Sequence, residues 1–185
     1  METFSAYHLK RWVEENRDLF DPPYKTNRVL VHHKDFIVMI LHGPNVRLDF
    51  HLEPADEFFY QVKGDIELHI KSENEHRQVI RIREGEIFLC PGSVPHSPRR
   101  GAGTWGLVIE RKRGPAELEE FIWFCEKCDQ RVLSRTVTQG NVAAQVTEIY
   151  EAFNADARLR TCKRCGYIFP PTPMAERLGF LETEK

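Results

Sequence analysis

No hydrophobic run in this sequence is long enough to cross a bilayer: the longest aliphatic stretch, Phe36 to Leu41, has six residues, where a membrane helix needs about 20. Membrane insertion is not expected. A secretory signal is missing as well, because the opening METFSAYHLKRWVEEN has no basic segment followed by an apolar one. A cytoplasmic location is the expectation. Charge of one sign is not in excess: 26 Lys and Arg stand against 28 Asp and Glu, giving -2 and a pI near 6.5. No overall positive field would draw such a chain to nucleic acid. Long repeats and low-complexity tracts are absent. Cysteine is scarce, five residues in all, yet four of them form two C-x-x-C pairs and Cys90 stands alone. Without a secretory signal, that usage points to metal or redox chemistry before a disulfide framework.

What is present is the composition of a soluble globular protein, 41% hydrophobic and 29% charged, in 185 residues. That length suits one substantial core with a small appendage. Ser5 is a candidate helix cap, and Leu9, Trp12 and Val13 form an i, i+3, i+4 apolar stripe behind it. Phe4 can staple onto Leu9, and Asp21-Pro22-Pro23 ends the helix. From Asn27 the period changes to that of strands: NRVLVHH, DFIVMILH, VRLDFHL, EFFYQVKG, DIELHIK, QVIRIR, EIFLC and WGLVIERK, separated by Gly, Pro and Asp turns. Many short strands at regular spacing predict a mainly β chain with a sandwich or barrel, here a jelly roll. Leu118 to Cys125 reads equally as strand or short helix, whereas Val142, Val146, Ile149, Tyr150 and Phe153 predict a helix entered at Gly140-Asn141. The expected organisation is a barrel over residues 1–117 and a small helical extension, residues 118–185, that carries the cysteines.

Two stretches hold the candidate chemistry. GPNVRLDFHLEPADEFFYQVKG, from Gly43 to Gly64, contains His51 and Glu57; GEIFLCPGSVPHSP, from Gly85 to Pro98, contains His96. Two histidines and one acid on short strands suit the facial triad that holds Fe(II) and leaves positions open for substrate and oxygen. The spacings resemble the two cupin motifs: Gly43, His51, Glu57 and Gly64 for the first, and Gly85, Pro91 and His96 for the second. The chain departs from the His-x-His of many cupins, since it has His51-Leu52-Glu53 there, and three ligands are therefore expected instead of four. The competing reading is a metal-free barrel with ordinary strand residues, and the joint improbability of both spacings weighs against it. His8, His32, His33, His42, His69 and His76 are expected to be solvated or packed.

Charged residues fall around this triad. Arg47 lies four residues before His51, at even spacing, and is expected on the same face of the same strand. Arg99 and Arg100 follow His96 within a turn, and Glu110 sits in the apolar strand WGLVIE. A charged residue in a buried strand needs a partner. Glu110 either pairs with Arg47 or Arg99 as structural glue or takes part in catalysis.

GPNVRLDFHLEPADEFFYQVKGD and GEIFLCPGSVPHSPRR together resemble the 3-hydroxyanthranilate 3,4-dioxygenase family, extradiol ring-cleaving cupins. The resemblance extends from the first helix to Glu110, and the paired cysteines resemble the bacterial form, whose tail carries a rubredoxin-like metal centre. It implies that His51, Glu57 and His96 hold Fe(II) and that O2 is co-substrate. It further implies that Arg99 clamps the carboxylate of a small aromatic substrate, that Arg47 stands beside the oxygen site, that Glu110 assists deprotonation and that Asn27 adds a hydrogen bond. The implied product is 2-amino-3-carboxymuconate semialdehyde, which cyclises to quinolinate. Another cupin oxygenase or isomerase, or a ligand-sensing cupin without catalysis, is the alternative. A homodimer is expected, with neither nucleic acid nor membrane as partner.

The cysteines form a second constellation. Cys125-Glu-Lys-Cys128 and Cys162-Lys-Arg-Cys165 can offer four thiolates tetrahedrally to Zn(II) or a single Fe. Only the second pair is followed by Gly, Gly166, so the likeness to rubredoxin is partial. A structural clip is the preferred reading, with electron transfer, a nucleic-acid ribbon and disulfides as alternatives. Cys90 reads as a small buried hydrophobe.

Overall fold

The computed structural model describes residues 6–20, 27–45, 47–72, 76–138 and 140–172. The first helix, α1 (Leu9–Glu15), is capped by His8, whose ring accepts from the Arg11 N–H at 3.3 Å. The expected cap Ser5, the staple Phe4 and the Asp21-Pro22-Pro23 stop lie outside the described residues. Val13 and Phe20, the latter on a 3-10 turn after α1, pack with Ile40, Val62 and Trp105. That packing holds the helix against the outside of a sheet.

All the strand runs read from the sequence are present: β1 (Asn27–His32), β2 (Phe36–His42), β3 (Phe50–Leu52), β4 (Glu57–Lys63), β5 (Ile66–Ile70), β6 (Gln78–Ile82), β7 (Ile87–Cys90) and, after one more strand, β9 (Trp105–Arg111). Of the run VRLDFHL, the last three residues form the strand, and residues 47–49 before it have no regular structure. The added strand is β8 (His96–Arg100), which a sequence reading takes for a turn because Pro95 and Pro98 interrupt it. The ambiguous segment is a strand, β10 (Glu119–Phe124), and it is followed by an unforeseen one, β11 (Arg131–Val137). The second helix, α2 (Val142–Ala155), begins as predicted, with the Asn141 side chain accepting from the Ala144 N–H at 3.0 Å.

The strands form two antiparallel sheets, β1-β2-β9-β4-β7 and β11-β10-β3-β8-β5-β6. The chain passes repeatedly from one sheet to the other, which makes the cupin type of jelly roll. Met39, Leu41, Phe59, Ile66, Leu68, Ile82, Cys90 and Val108 fill the space between the sheets. They come from alternate positions of their strands, as a two-residue period requires. The inner face of every strand is fixed by this core and by the register. Cys90 is buried there, as read from the sequence.

The connection from β9 to β10 contains the 117/118 division. Beyond it, β10 pairs with β3, setting Phe121 opposite His51 and Ile122 opposite Phe50. β10 and β11 thus extend the second sheet past the barrel, and α2 covers that extension. Trp123, Leu133 and Val137 from the strands pack with Val146, Tyr150 and Phe153 from the helix and with Phe169 beyond it. Trp123 and Phe153 stack with ring centres 4.5 Å apart.

Candidate active site and cysteine centre

The register brings two histidines together. His51 on β3 is the direct partner of His96 on β8, and their rings lie 5.7 Å apart, edge to face. Glu57, at the start of β4, reaches them from the opposite sheet. Its Oε1 lies 3.1 Å from His96 Nε2 and 3.6 Å from His51 Nδ1. One donor atom from each of the three falls within 4.8 Å of the others. His96 Nδ1 is 3.0 Å from the Val94 carbonyl, which can only accept. That contact keeps a proton on Nδ1 and makes Nε2, towards Glu57, the nitrogen that a metal would take. Glu57 Oε1 is buried and, among the described residues, has no hydrogen-bond partner. A buried carboxylate oxygen set against two imidazole nitrogens is a donor set that fits a divalent transition metal.

Electrostatics agree with a site built for positive charge. Burial disfavours ionised Glu57, but the two histidines outweigh it and hold the acid below the usual carboxylate range. Burial likewise opposes a charged His51, yet the neighbouring carboxylates of Glu119 and Glu57 lift it to about 9. His96 is raised too, because Glu57 overcomes the cost of burying it.

The other nitrogen of His51 faces a second set of groups that the sequence reading did not single out. Glu119, the first residue of β10, places Oε2 2.5 Å from His51 Nε2, and Glu53 Oε2 is 3.7 Å away. Arg113, just past β9, pairs with Glu119 and lies 3.7 Å from Glu53. Both acids are buried. Burial pushes Glu53 up to about 6. Glu53, the residue in place of a second histidine, therefore groups with His51 and Glu119 and not with Glu57 and His96. An acid opening the apolar run EEFIWF, two residues before the partner of His51, is the signal by which Glu119 was findable: a buried charge needs a counterpart.

Glu110 on β9 is the direct partner of Glu57 across the β4–β9 pairing. Burial, and then the charge of Glu57, raise it to about 8. Neither arginine named for it is its partner. Arg47 lies in the irregular segment before β3 and holds Asp49 at 2.6 Å; Tyr150 of α2 donates to the same Asp49. Arg47 stays close to the cluster through Phe121, whose ring is 5.6 Å from its guanidinium and stacks 5.1 Å from His51.

Arg99 is placed differently from the expectation. In the β5–β8 pairing, Ile66, Leu68 and Ile70 oppose Arg100, Pro98 and His96, whereas Glu67 and His69 oppose Arg99 and Ser97. Directly opposed residues share a face. Arg100 is thus on the inner face with His96, and Arg99 points out of the barrel. There it forms a two-pronged ion pair with Glu126, both contacts 2.9 Å. Arg77 joins it on Glu126 at 2.7 Å. Arg100 is buried, donates to Gln61 at 3.1 Å and fills the space that a side chain at Gly106 would take. Burial alone lowers it to about 10; among the described residues no carboxylate pairs with it. Asn27 opens β1 opposite Leu41, which opposes Gly106, while Glu110 opposes Ile37. Asn27 is therefore four residue pairs from the Glu110 row, about 13 Å along the sheet, and on the row of Gly106, against which the Arg100 guanidinium packs.

The cysteines converge as the spacing predicts. Cys125 and Cys165 have sulfurs 3.5 Å apart, and Cys128 and Cys162 3.6 Å apart. A disulfide is about 2.05 Å long, whereas four thiolates about 2.3 Å from a shared Zn(II) sit about 3.8 Å apart. The observed edges fit the second arrangement. In each knuckle the residue after the last cysteine is left-handed, Asp129 with φ 55° and Gly166 with φ 74°. Asp tolerates that region better than most residues, so the first knuckle closes without the glycine.

Comparison with known proteins followed the same lines. The family model described as 3-hydroxyanthranilic acid dioxygenase matches residues 1–154. A protein named 3-hydroxyanthranilate 3,4-dioxygenase from Bacillus thuringiensis is 44% identical over 169 residues, covering 91% of this chain and 94% of its own. Relatives of the same name are 40% identical in Neurospora crassa, over 91% of this chain and 92% of theirs, and 37% identical in Xanthomonas euvesicatoria, over 88% and 91%. A solved cupin-2 domain protein from Shewanella frigidimarina is similar with TM-score 0.42 and 20% identity, covering 54% of this chain and 91% of that one. By the family match and these relatives, the chain belongs to the 3-hydroxyanthranilic acid dioxygenase family.

Proposed function

We propose that this chain is an Fe(II)-dependent 3-hydroxyanthranilate 3,4-dioxygenase, forming 2-amino-3-carboxymuconate semialdehyde from 3-hydroxyanthranilate and O2. The observation that carries the reading is the His51, Glu57 and His96 cluster with Glu110 beside it on the inner face, in a chain of this family. Fe(II) held by His51, Glu57 and His96 supplies, when bound, the electron relay that lets triplet O2 react with a singlet aromatic ring. The side chains do the rest. His96, locked by Val94, and His51 keep their nitrogens aimed at one point. The Glu110 carboxylate, made more basic by burial and the Glu57 charge, accepts the phenolic proton of the substrate.

The substrate carboxylate needs a cation on the inner face. The role first given to Arg99 passes to Arg100, a buried arginine without a carboxylate partner among the described residues. A buried charge of that kind is stabilised by an incoming anion. Its Cα lies about 13 Å along β8 from that of His96, a gap for two side chains and one aromatic acid. Arg47 is retained beside the metal ligands, and Asn27, on the row of Gly106, keeps its expected hydrogen bond at the Arg100 end of the site. Arg100→Lys is expected to raise KM about tenfold, from about 1.5 kcal/mol of lost charge-assisted binding, while Arg99→Lys leaves it within about twofold. Steady-state kinetics on both variants decide it, and the reverse pattern restores Arg99.

Anaerobic loading with Fe(II), then 3-hydroxyanthranilate and air, tests the activity itself. One O2 consumed per substrate, with a semialdehyde chromophore decaying to quinolinate, is expected. No oxygen uptake by iron-loaded protein removes the substrate assignment.

The outer face of the first sheet supports the expected homodimer. Ile87 and Leu89 are 64% and 56% exposed, and they oppose Tyr60 and Phe58 on β4. An apolar sheet face of this kind favours a second copy over water. Ile87→Asp with Leu89→Asp should give a monomer by light scattering; a persistent dimer would place the interface elsewhere.

A further inference from the structure

His51 stands between two sets of donors, one at each ring nitrogen. Nδ1 faces Glu57 and His96, and Nε2 faces Glu119 and Glu53. Each set, with His51, brings three donor atoms within 4.8 Å of one another. An imidazole that can turn over or move its proton would offer a metal ion either set. What distinguishes them is Arg113. It pairs with Glu119 and lies 3.7 Å from Glu53, so a cation already belongs to the second set. Among the described residues, no arginine or lysine pairs with the first set.

We propose that Glu119, clamped by Arg113, is the positioning residue that fixes the ring of His51 and presents its Nδ1 side to the metal. The proposal rests on the reading of His51, Glu57 and His96 as the metal ligands. Glu119 accepts the Nε2–H, which leaves Nδ1 unprotonated on the side of Glu57; a carboxylate on the far nitrogen is the usual device for setting a ligating histidine. Arg113 performs a second service. It offsets one of the two charges of Glu119 and Glu53, so that these two acids, with His51, do not present a competing site with its full charge of -2. Phe121, stacked on the ring at 5.1 Å, restricts its rotation from the side.

The test is metal affinity, read without turnover. With the cysteine centre filled by Zn(II), anaerobic Fe(II) binding is titrated against a chromophoric chelator. Glu119→Ala is expected to weaken binding by about 10- to 100-fold. Glu119→Gln, whose amide oxygen still accepts from Nε2–H, should stay within about threefold of wild type. A merely structural role predicts equal loss in both, since either change breaks the ion pair with Arg113, and that result overturns the proposal. Unchanged affinity in Glu119→Ala also overturns it.

Arg113 has its own arm. Glu57→Gln should abolish Fe(II) binding when Arg113 is present. Adding Arg113→Gln should restore binding at the second set, now two acids and His51 without a resident cation. Failure to restore binding overturns the role given to Arg113. Wild-type protein that binds no Fe(II) at the barrel overturns the ligand reading and this inference with it, whereas normal wild-type binding with an indifferent Glu119→Ala removes this inference alone.

Discussion

Glu110→Gln in the iron-loaded protein is expected to lower kcat by about 10²- to 10⁴-fold, the usual contribution of a positioned general base, with iron content unchanged. The substitution keeps the volume and polarity of the side chain and removes only its ability to take a proton. Glu110 is not among the three donors that converge on one point, so metal content should not depend on it. The proposed proton-accepting role rests on its position. It opposes Glu57 directly across β4 and β9, and so borders the three converging donors without being one of them. Burial and the Glu57 charge hold it at about 8, which makes its carboxylate a stronger proton acceptor than a solvent-exposed glutamate. The check is kcat by oxygen uptake alongside iron by elemental analysis. Wild-type turnover removes the base assignment, and loss of iron in step with activity would make Glu110 a supporting group for the ligands.

The triad was legible in the sequence because metal binding demands particular residue types, and cupin-like spacing then ties them to strand ends. Arg99 and Arg100 were not resolved for a different reason. Once β8 is known to be a strand, alternation from His96 selects Arg100, but Pro95 and Pro98 make HSPRR read as a turn. Glu119 and Arg113 were hidden by distance along the chain. The contact between His51 and Glu119 spans 68 residues, and it follows from the pairing of β10 with β3, for which local pattern offers no cue. Leu118 to Cys125 could be either helix or strand because burial on both faces erases periodicity: Phe121, Ile122 and Trp123 are all fully buried. The cysteine knuckles were readable throughout, since spacing alone defines them. Asp129 supplies what the missing glycine seemed to deny.

Cys162→Ser should empty the cysteine centre and release the extension from the sheet. Structural Zn(II) in small cysteine sites contributes about 10 to 16 kcal/mol of apparent binding free energy at neutral pH, on the scale of a whole domain's stability of about 5 to 15 kcal/mol. The loss should therefore be cooperative across the parts that the metal joins. Those parts are identifiable: the first knuckle follows β10 directly, and Phe169, three residues after Gly166, enters the cluster of Trp123, Tyr150 and Phe153. The expected result is zero metal at this centre, rapid proteolysis between residues 125 and 172, and exposure of Trp123 by fluorescence. Retained protease resistance without metal would mean that the aromatic cluster suffices and the centre has another purpose. The same protein separates clip from electron carrier. Under the proposed function the ring cleavage needs no external electron, so a cysteine centre filled with redox-inactive Zn(II) should support the same turnover as one filled with iron. A large drop with Zn(II), at equal occupancy of the barrel site, would instead make the four cysteines part of the electron path.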